Sequence, residues 1–168
     1  MEHVEIERKY LIRMPAAQLL ESLPYSEIEQ IYILRPDGAR ERIRRRVYAD
    51  GTVFTHTAKR KLSDLTRVEN EREIGEAEYR ELSALADPSR RPLRKKRYLY
   101  EYCGQLFEID VFPFWEDRAL MELELRSEEQ EILLPLSIEI IREVTSDGRY
   151  TNSAIAREVP RESSEKEV

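Results

Sequence analysis

Charged residues recur at every second position along much of this chain, with apolar residues between them, and that spacing constrains the fold more than any other feature. Successive side chains of a β-strand point to opposite faces, so residues two apart share one. Glu5, Glu7 and Lys9 therefore stand in a row opposite Val4, Ile6, Tyr10 and Ile12. The layout returns in Arg42 and Arg44 around Ile43, and in Thr57, Lys59 and Lys61. It returns again in Arg67, Glu69, Glu71 and Glu73, in Lys95 with Arg97, in Glu108 with Asp110, and in Glu122 with Glu124. One such row is what any half-exposed antiparallel strand shows, with cross-strand ion pairs worth under about 1 kcal/mol. So many rows, sorted by sign, point to one shared charged surface.

The punctuation between the rows predicts short connections. Met14 to Leu23 reads as a helix with Pro15 at its start and Pro24 after it. Strands follow over Glu27 to Leu34, Ala39 to Tyr48 and Val53 to Leu62, the last two joined by Asp50-Gly51, a dipeptide suited to positive φ in a tight hairpin. Arg67 to Ile74 continues the alternation, and Tyr79, Leu82 and Leu85 give Gly75 to Ala86 a helical period. Leu93 to Tyr102 and Gln105 to Phe112 form a second hairpin across Cys103-Gly104, and Ala119 to Leu125 is a further strand. Ser127 followed by Glu128, Glu129 and Gln130 predicts a helix start, ended by Pro135. Ile138 to Val144 is a short apolar segment, Thr151 to Glu158 a final helix, and Pro160 to Val168 a polar, frayed end.

About eight strands, mostly hairpin-connected, predict an antiparallel α+β domain whose sheet curls or closes. The chain of 168 residues is expected to form a single domain over 1–158 with a polar tail over 159–168. Helices need an apolar layer to cover, so the charged faces are expected inside the curl. Tyr98, Tyr100 and Tyr102 are then outer packing rather than a base-stacking platform, and His3 and His56 have no assigned part.

Charge limits the partners. Charged residues make up 37% of the chain, yet the net charge is only -6, which argues against nucleic acid as the main partner. The single Cys103 excludes an intrachain disulfide, and no signal-peptide pattern opens the chain, so a reducing, cytoplasmic setting is expected. No apolar run approaches the roughly 20 residues needed to span a bilayer, so no membrane partner is expected. A homodimer stays open.

The two kinds of row suggest two tasks. Carboxylates without Cys or clustered His favour hard cations such as Mg²⁺ or Mn²⁺ and disfavour zinc. Arg and Lys recognise phosphate oxygens, Arg by its fork and Lys as a mobile point charge. Together they suit phosphoryl transfer, which needs in-line positioning and neutralised oxygens more than covalent help.

With these motifs in place the chain resembles the CYTH superfamily, the triphosphate tunnel metalloenzymes. The resemblance rests on ExExK at Glu5, Glu7 and Lys9, RxR at Arg42 and Arg44, TxK at Thr57 and Lys59, and RxExE at Arg67, Glu69 and Glu71. KxR at Lys95 and Arg97, ExD at Glu108 and Asp110, and ExE at Glu122 and Glu124 follow in the family order, and Glu143-Val144-Thr145 and Arg149-Tyr150-Thr151-Asn152 resemble its C-terminal segment. The resemblance implies an eight-stranded antiparallel β-barrel with a charged tunnel and helices packed outside. It implies Mg²⁺ or Mn²⁺ on Glu5, Glu7, Glu122 and Glu124, supported by Glu69, Glu71 and Asp110. It places phosphates on Lys9, Arg42, Arg44, Lys59, Lys61, Arg67, Lys95 and Arg97, with Glu5, Glu7, Lys9, Arg42, Arg44 and Lys59 as the catalytic set.

No His-Phe pair precedes ExExK here, which argues against the cyclase branch of that superfamily. The implied activity is hydrolysis of inorganic triphosphate, with nucleoside or thiamine triphosphate hydrolysis as the alternative. A non-catalytic polyphosphate binder and, more remotely, a single-stranded RNA binder compete with it. Pro113-Phe114-Trp115 departs from the small loop expected after Asp110 and would narrow one tunnel mouth.

Overall fold

The alternating segments form one antiparallel sheet. A computed structural model describes residues 6–37, 39–61 and 67–162, with backbone only at 60, 61, 67 and 68. Its strands are β1 (Ile6–Arg13), β2 (Tyr25–Leu34), β3 (Arg40–Tyr48), β4 (Gly51–Lys61), β5 (Arg67–Ile74), β6 (Leu93–Tyr102), β7 (Gln105–Val111), β8 (Arg118–Leu125) and β9 (Ile140–Glu143). The helices are α1 (Ala17–Glu21), α2 (Glu76–Ser83) and α3 (Asn152–Arg157), with a 3-10 turn at Gly148–Tyr150.

The strands pair in the order β5-β4-β3-β2-β6-β7-β8-β1-β9. Most neighbours are hairpins, but β2 with β6 and β1 with β8 bring distant segments together. The expectation of an eight-stranded closed barrel is corrected here: there are nine strands among the described residues, and the edges β5 and β9 do not pair with each other. The additional strand is the short apolar segment 140–143, which finds its ladder on β1.

Register gives each face its character. Lys9 lies opposite Glu122, Glu108 opposite Glu122, Arg97 opposite Asp110, Gln30 opposite Arg44, Arg42 opposite Thr57 and Thr57 opposite Glu71. The charged rows therefore share one face from β5 round to β1. The other face carries Tyr10, Ile12, Phe107, Ile109, Met121 and Leu123, all buried, with Leu19 of α1, Ile132 and Ile138 packed on them. Toward β5 the same face is covered by α2, whose Tyr79 packs with Ile33, Ile43 and Ile74. Each such side chain contributes roughly 1.5–3 kcal/mol by leaving water. Tyr98, Tyr100 and Tyr102 lie on this apolar face as expected; Tyr100 Oη is 2.9 Å from Ser137 Oγ in the chain after β8.

Helices outside describes α1 and α2 but not α3. Ile155 and Ala156 of α3 pack with Leu11, Leu93, Leu120 and Phe112, which lie on the charged rows' own face, one step beyond Lys9, Lys95, Glu122 and Asp110. Those apolar residues need a cover, and α3 supplies it from inside the curl. Its cap is Thr151, whose hydroxyl accepts the Ala154 N–H.

Two local expectations are overturned. Ser127 to Pro135 is not helical; the Gln130 side chain accepts the Arg126 N–H, and Gln105 donates from Nε2 to the Leu133 carbonyl, so this run lies against the end of β7. The β3–β4 hairpin exists, but Tyr48 pairs with Gly51, leaving Ala49-Asp50 as the turn, and Gly51 has no positive φ. Positive φ occurs instead at Cys103 (50°) and Gly104 (72°), between paired Tyr102 and Gln105, the geometry of a type I′ turn.

Candidate active site

The curled charged face bounds a cavity of about 1860 Å³. Its acidic side is built by β1, β8 and β7. Glu7 stands opposite Glu124 across the β1–β8 ladder, and Lys9 opposite Glu122. The Lys9 ammonium lies 3.2 Å from Glu122 Oε1 and donates to the Tyr150 carbonyl at 3.2 Å. Burial pushes the Glu122 pKa up, but Lys9, Lys95 and Arg97 outweigh it, so the carboxyl sits below its ordinary range.

Between the acidic and basic sides stands a buried ionic core. Arg97 reaches Glu108 at 2.6 Å, Asp110 through Nε at 2.8 Å, and Glu122 at 3.8 Å. Lys95 Nζ lies 2.6 Å from the other Asp110 oxygen, and both side chains are shut off from solvent. Burial pushes the Lys95 ammonium down to about 8. It works against the Asp110 charge too, but two cations prevail and hold that carboxyl well below the usual carboxylate range.

The basic side comes from β3, edged by β4 and β5. Arg42 Nη2 lies 3.2 Å from Glu69, and Thr57 Oγ1 donates to Glu71 at 3.0 Å. Arg44 makes no ion pair with the described residues, and burial, then Arg42 and Arg97, push its guanidinium down to about 10, still charged at neutral pH. The Nε atoms of Arg42 and Arg44 are buried with no acceptor among the described residues. A buried donor without a partner costs about 1–3 kcal/mol, and an anionic oxygen placed against this wall would satisfy both.

One end of the charged face is closed by aromatic packing. Phe112 and Phe114 stack with centroids 5.1 Å apart, and Trp115 meets Phe112 edge-on at 5.6 Å and lies 6.4 Å from Tyr150. The Pro113-Phe114-Trp115 loop thus belongs to the apolar cluster under α3. Beyond it Arg90, Arg149, Arg157 and Arg161 add a basic rim to the cavity.

Of the residues singled out from the sequence, Glu7, Lys9, Arg42, Arg44, Lys59, Glu69, Glu71, Arg97, Glu122 and Glu124 all line this cavity. Glu5 and the side chains of Lys61 and Arg67 lie outside the described residues. Lys95 and Asp110 occupy a different place: they sit behind the wall, bound to each other, so Asp110 offers no unengaged oxygen to a cation and Lys95 reaches no cavity surface. Residues left out of the expected metal and phosphate sets also contribute, above all Glu108, Tyr32 and the arginines of the C-terminal segment. Tyr32 was findable, because Gln30 and Tyr32 alternate with Ile31 and Ile33 on β2. His56, given no role, pairs with Glu41 at 2.8 Å on the opposite face.

The carboxylates fit a hard divalent cation in kind, since Glu7, Glu122 and Glu124 offer only oxygen from adjacent strands. Among the described residues, however, no three acidic, His or Cys side chains already converge as a ligand cluster. No helix among them is long and apolar enough to cross a membrane.

No family model matches the chain. It is 32% identical over 158 residues to the inorganic triphosphatase of Nitrosomonas europaea, covering 93% of this chain and 99% of that protein. Its fold is similar to two crystal structures of NE1496, the second described as an inorganic triphosphatase. They are 31% and 30% identical, with TM-scores of 0.64 and 0.61, covering 94% and 93% of this chain and 100% and 99% of theirs. The PH1819 protein from Pyrococcus horikoshii is similar in fold alone, at 21% identity and a TM-score of 0.50 over 74% of this chain and 80% of that one.

Proposed function

This chain belongs to the CYTH superfamily of triphosphate tunnel metalloenzymes and is a phosphoanhydride hydrolase, and from that premise we propose that it hydrolyses inorganic triphosphate to pyrophosphate and phosphate with Mg²⁺ or Mn²⁺. The observation that carries most weight is the pair of buried Nε donors on Arg42 and Arg44, without an acceptor among the described residues on a cavity wall that faces carboxylates. A condensed phosphate supplies acceptors to that wall and charge to match it.

Lys9, Arg42, Arg44, Lys59 and Arg97 hold phosphoryl oxygens and fix the chain in line for attack by water. Asp110 and Lys95 act from behind, holding Arg97 in place. Glu7, Glu122 and Glu124, with Glu5 by motif, are the residues to hold the cation, which when bound neutralises phosphoryl oxygens and acidifies water. A cavity carboxylate takes the proton from the attacking water.

A phosphate-release panel over triphosphate, pyrophosphate, longer polyphosphate, ATP and thiamine triphosphate, each with Mg²⁺ and Mn²⁺, tests this. Triphosphate should be the best substrate, with release abolished by chelator and by Glu7→Gln or Glu122→Gln in folded protein. Full turnover in both variants refutes the cation assignment. Binding that survives chelation without any phosphate release identifies a binder instead, and preference for ATP identifies a nucleoside triphosphatase.

A further inference from the structure

We propose that a groove outside the cavity mouth binds the tail of condensed phosphate chains longer than triphosphate, through Arg91, Arg157 and Arg161; this rests on the triphosphatase function above. The groove encloses about 870 Å³ between the loop 114–118 and the segment that follows α3. Ser89, Arg90 and residues 157–161 line both groove and cavity, so the two meet along one rim. Its arginines divide by what already holds them. Arg118 forks onto Asp117 at 2.9 and 3.0 Å, and Arg90 reaches Asp87 at 2.6 Å. Arg91, Arg157 and Arg161 make no ion pair among the described residues. The acids left in the groove, Glu116 and Glu158, are fewer, so it keeps an excess of positive charge in a chain of net charge -6.

Backbone and ring contacts hold these three cations at the rim. The Arg91 N–H donates to the Ala156 carbonyl at 3.0 Å, and Arg157 donates to Ser89 Oγ at 3.4 Å. The Arg161 carbonyl accepts from Arg149 at 3.4 Å, next to Glu162, which is held by Arg142. The aromatic floor supports a guanidinium rather than a base: Phe114 is stacked on Phe112, met edge-on by Trp115 at 5.1 Å, and lies 5.9 Å from the Arg91 guanidinium. An anion without rings fits that inventory. Bond breaking stays in the cavity, where the oxygen of water joins the terminal phosphorus and its proton passes to a carboxylate. The bridging P–O bond breaks and the shortened chain keeps the bridging oxygen, its far end lying across the rim. Triphosphate is too short to reach Arg91, whereas a longer chain crosses to it.

Steady-state phosphate release from triphosphate and from a longer linear polyphosphate, at low ionic strength, separates the two sites in wild type and Arg91→Gln. Arg91 is exposed and lies outside the cavity, so kcat/KM for triphosphate should stay at the wild-type value. KM for the longer chain should rise about threefold or more, an effect that shrinks with added salt. An unchanged KM for the longer chain overturns the proposal, as does an equal loss on triphosphate or a wild-type protein that releases nothing from the longer chain. An effect confined to a 5′-triphosphorylated oligonucleotide overturns it too. If the wild-type protein releases no phosphate from triphosphate either, the hydrolase function fails and calorimetric titration with the longer polyphosphate decides on the groove alone. Weaker binding by the same factor in Arg91→Gln then supports it, and equal affinity overturns it.

Discussion

Asp110 accepts from Arg97 through both carboxylate oxygens, at 2.8 and 2.9 Å, in a site where the carboxylate is shut off from solvent and the guanidinium borders the cavity. Arg97 in turn faces Glu108 and Glu122, so one buried carboxylate aligns the guanidinium that joins the acidic to the basic side of the cavity. Asp110 supports the site from behind, and Arg97 forms part of its surface.

Asp110→Asn removes the carboxylate paired with Lys95 and leaves Arg97 only Glu108 and Glu122, and breaking a buried pair from one side costs about 3–5 kcal/mol. The unfolding midpoint in urea should drop accordingly. The divalent-ion concentration for half-maximal activity should stay at the wild-type value in the folded fraction, because both Asp110 oxygens are already committed to cations; a strong rise would return Asp110 to the metal ligands.

Arg44→Lys keeps a positive charge but removes the buried Nε and the planar fork. Steady-state kinetics should show kcat/KM for triphosphate reduced by about tenfold or more, as for loss of a charge-assisted hydrogen bond, with Arg44→Ala no better. Stability should hold or improve, since a buried cation without an ion partner among the described residues is removed or made easier to hydrate.

Acid weakens the anchor of the C-terminal segment. Arg142 first, and the Tyr150 hydroxyl second, hold Glu162 below its ordinary pKa, and Arg149 foremost does the same for Asp147. A depressed carboxylate contributes stability above its unfolded pKa of about 4.3 for Glu, and that contribution is lost as pH falls through the lower folded value. Glu162→Gln should therefore lower stability at neutral pH by on the order of 1 kcal/mol, read as a lower melting temperature, and the gap to wild type should close in acid. A gap unchanged down to pH values well below the folded pKa would remove the charge from the explanation.

The two hairpin glycines should behave differently. Gly104 sits at φ 72°, where a Cβ costs about 1–2 kcal/mol, so Gly104→Ala should shift the denaturant midpoint down. Gly51 has no positive φ and no heavy atom within 4 Å of a built Cβ, so Gly51→Ala should be neutral or slightly stabilising.

Much of the site was legible because side-chain alternation is a local property of an extended backbone. Arg42 and Arg44 had to share a face, and so did Glu122 and Glu124, whatever lay next to them. Tyr32 escaped notice because a tyrosine between isoleucines reads as packing until it is seen to line the cavity. The false helix at 127–135 came from acids suited to a helix start; the structure instead engages Gln130 with the Arg126 N–H and Gln105 with Leu133.

Spacing and sign alone determined that this chain makes an antiparallel sheet with one charged face, since a strand repeats every two residues and leaves its row no other arrangement. Only the tertiary structure decided which charges remain available to a ligand. The pairing of β6 with β7 neutralises Asp110 against Lys95 and Arg97, that of β2 with β3 leaves Arg44 without a partner among the described residues, and the apolar end of the charged face draws α3 inside an unclosed sheet. Ion pairing and burial depend on neighbours far apart in the chain, and no local period carries that information.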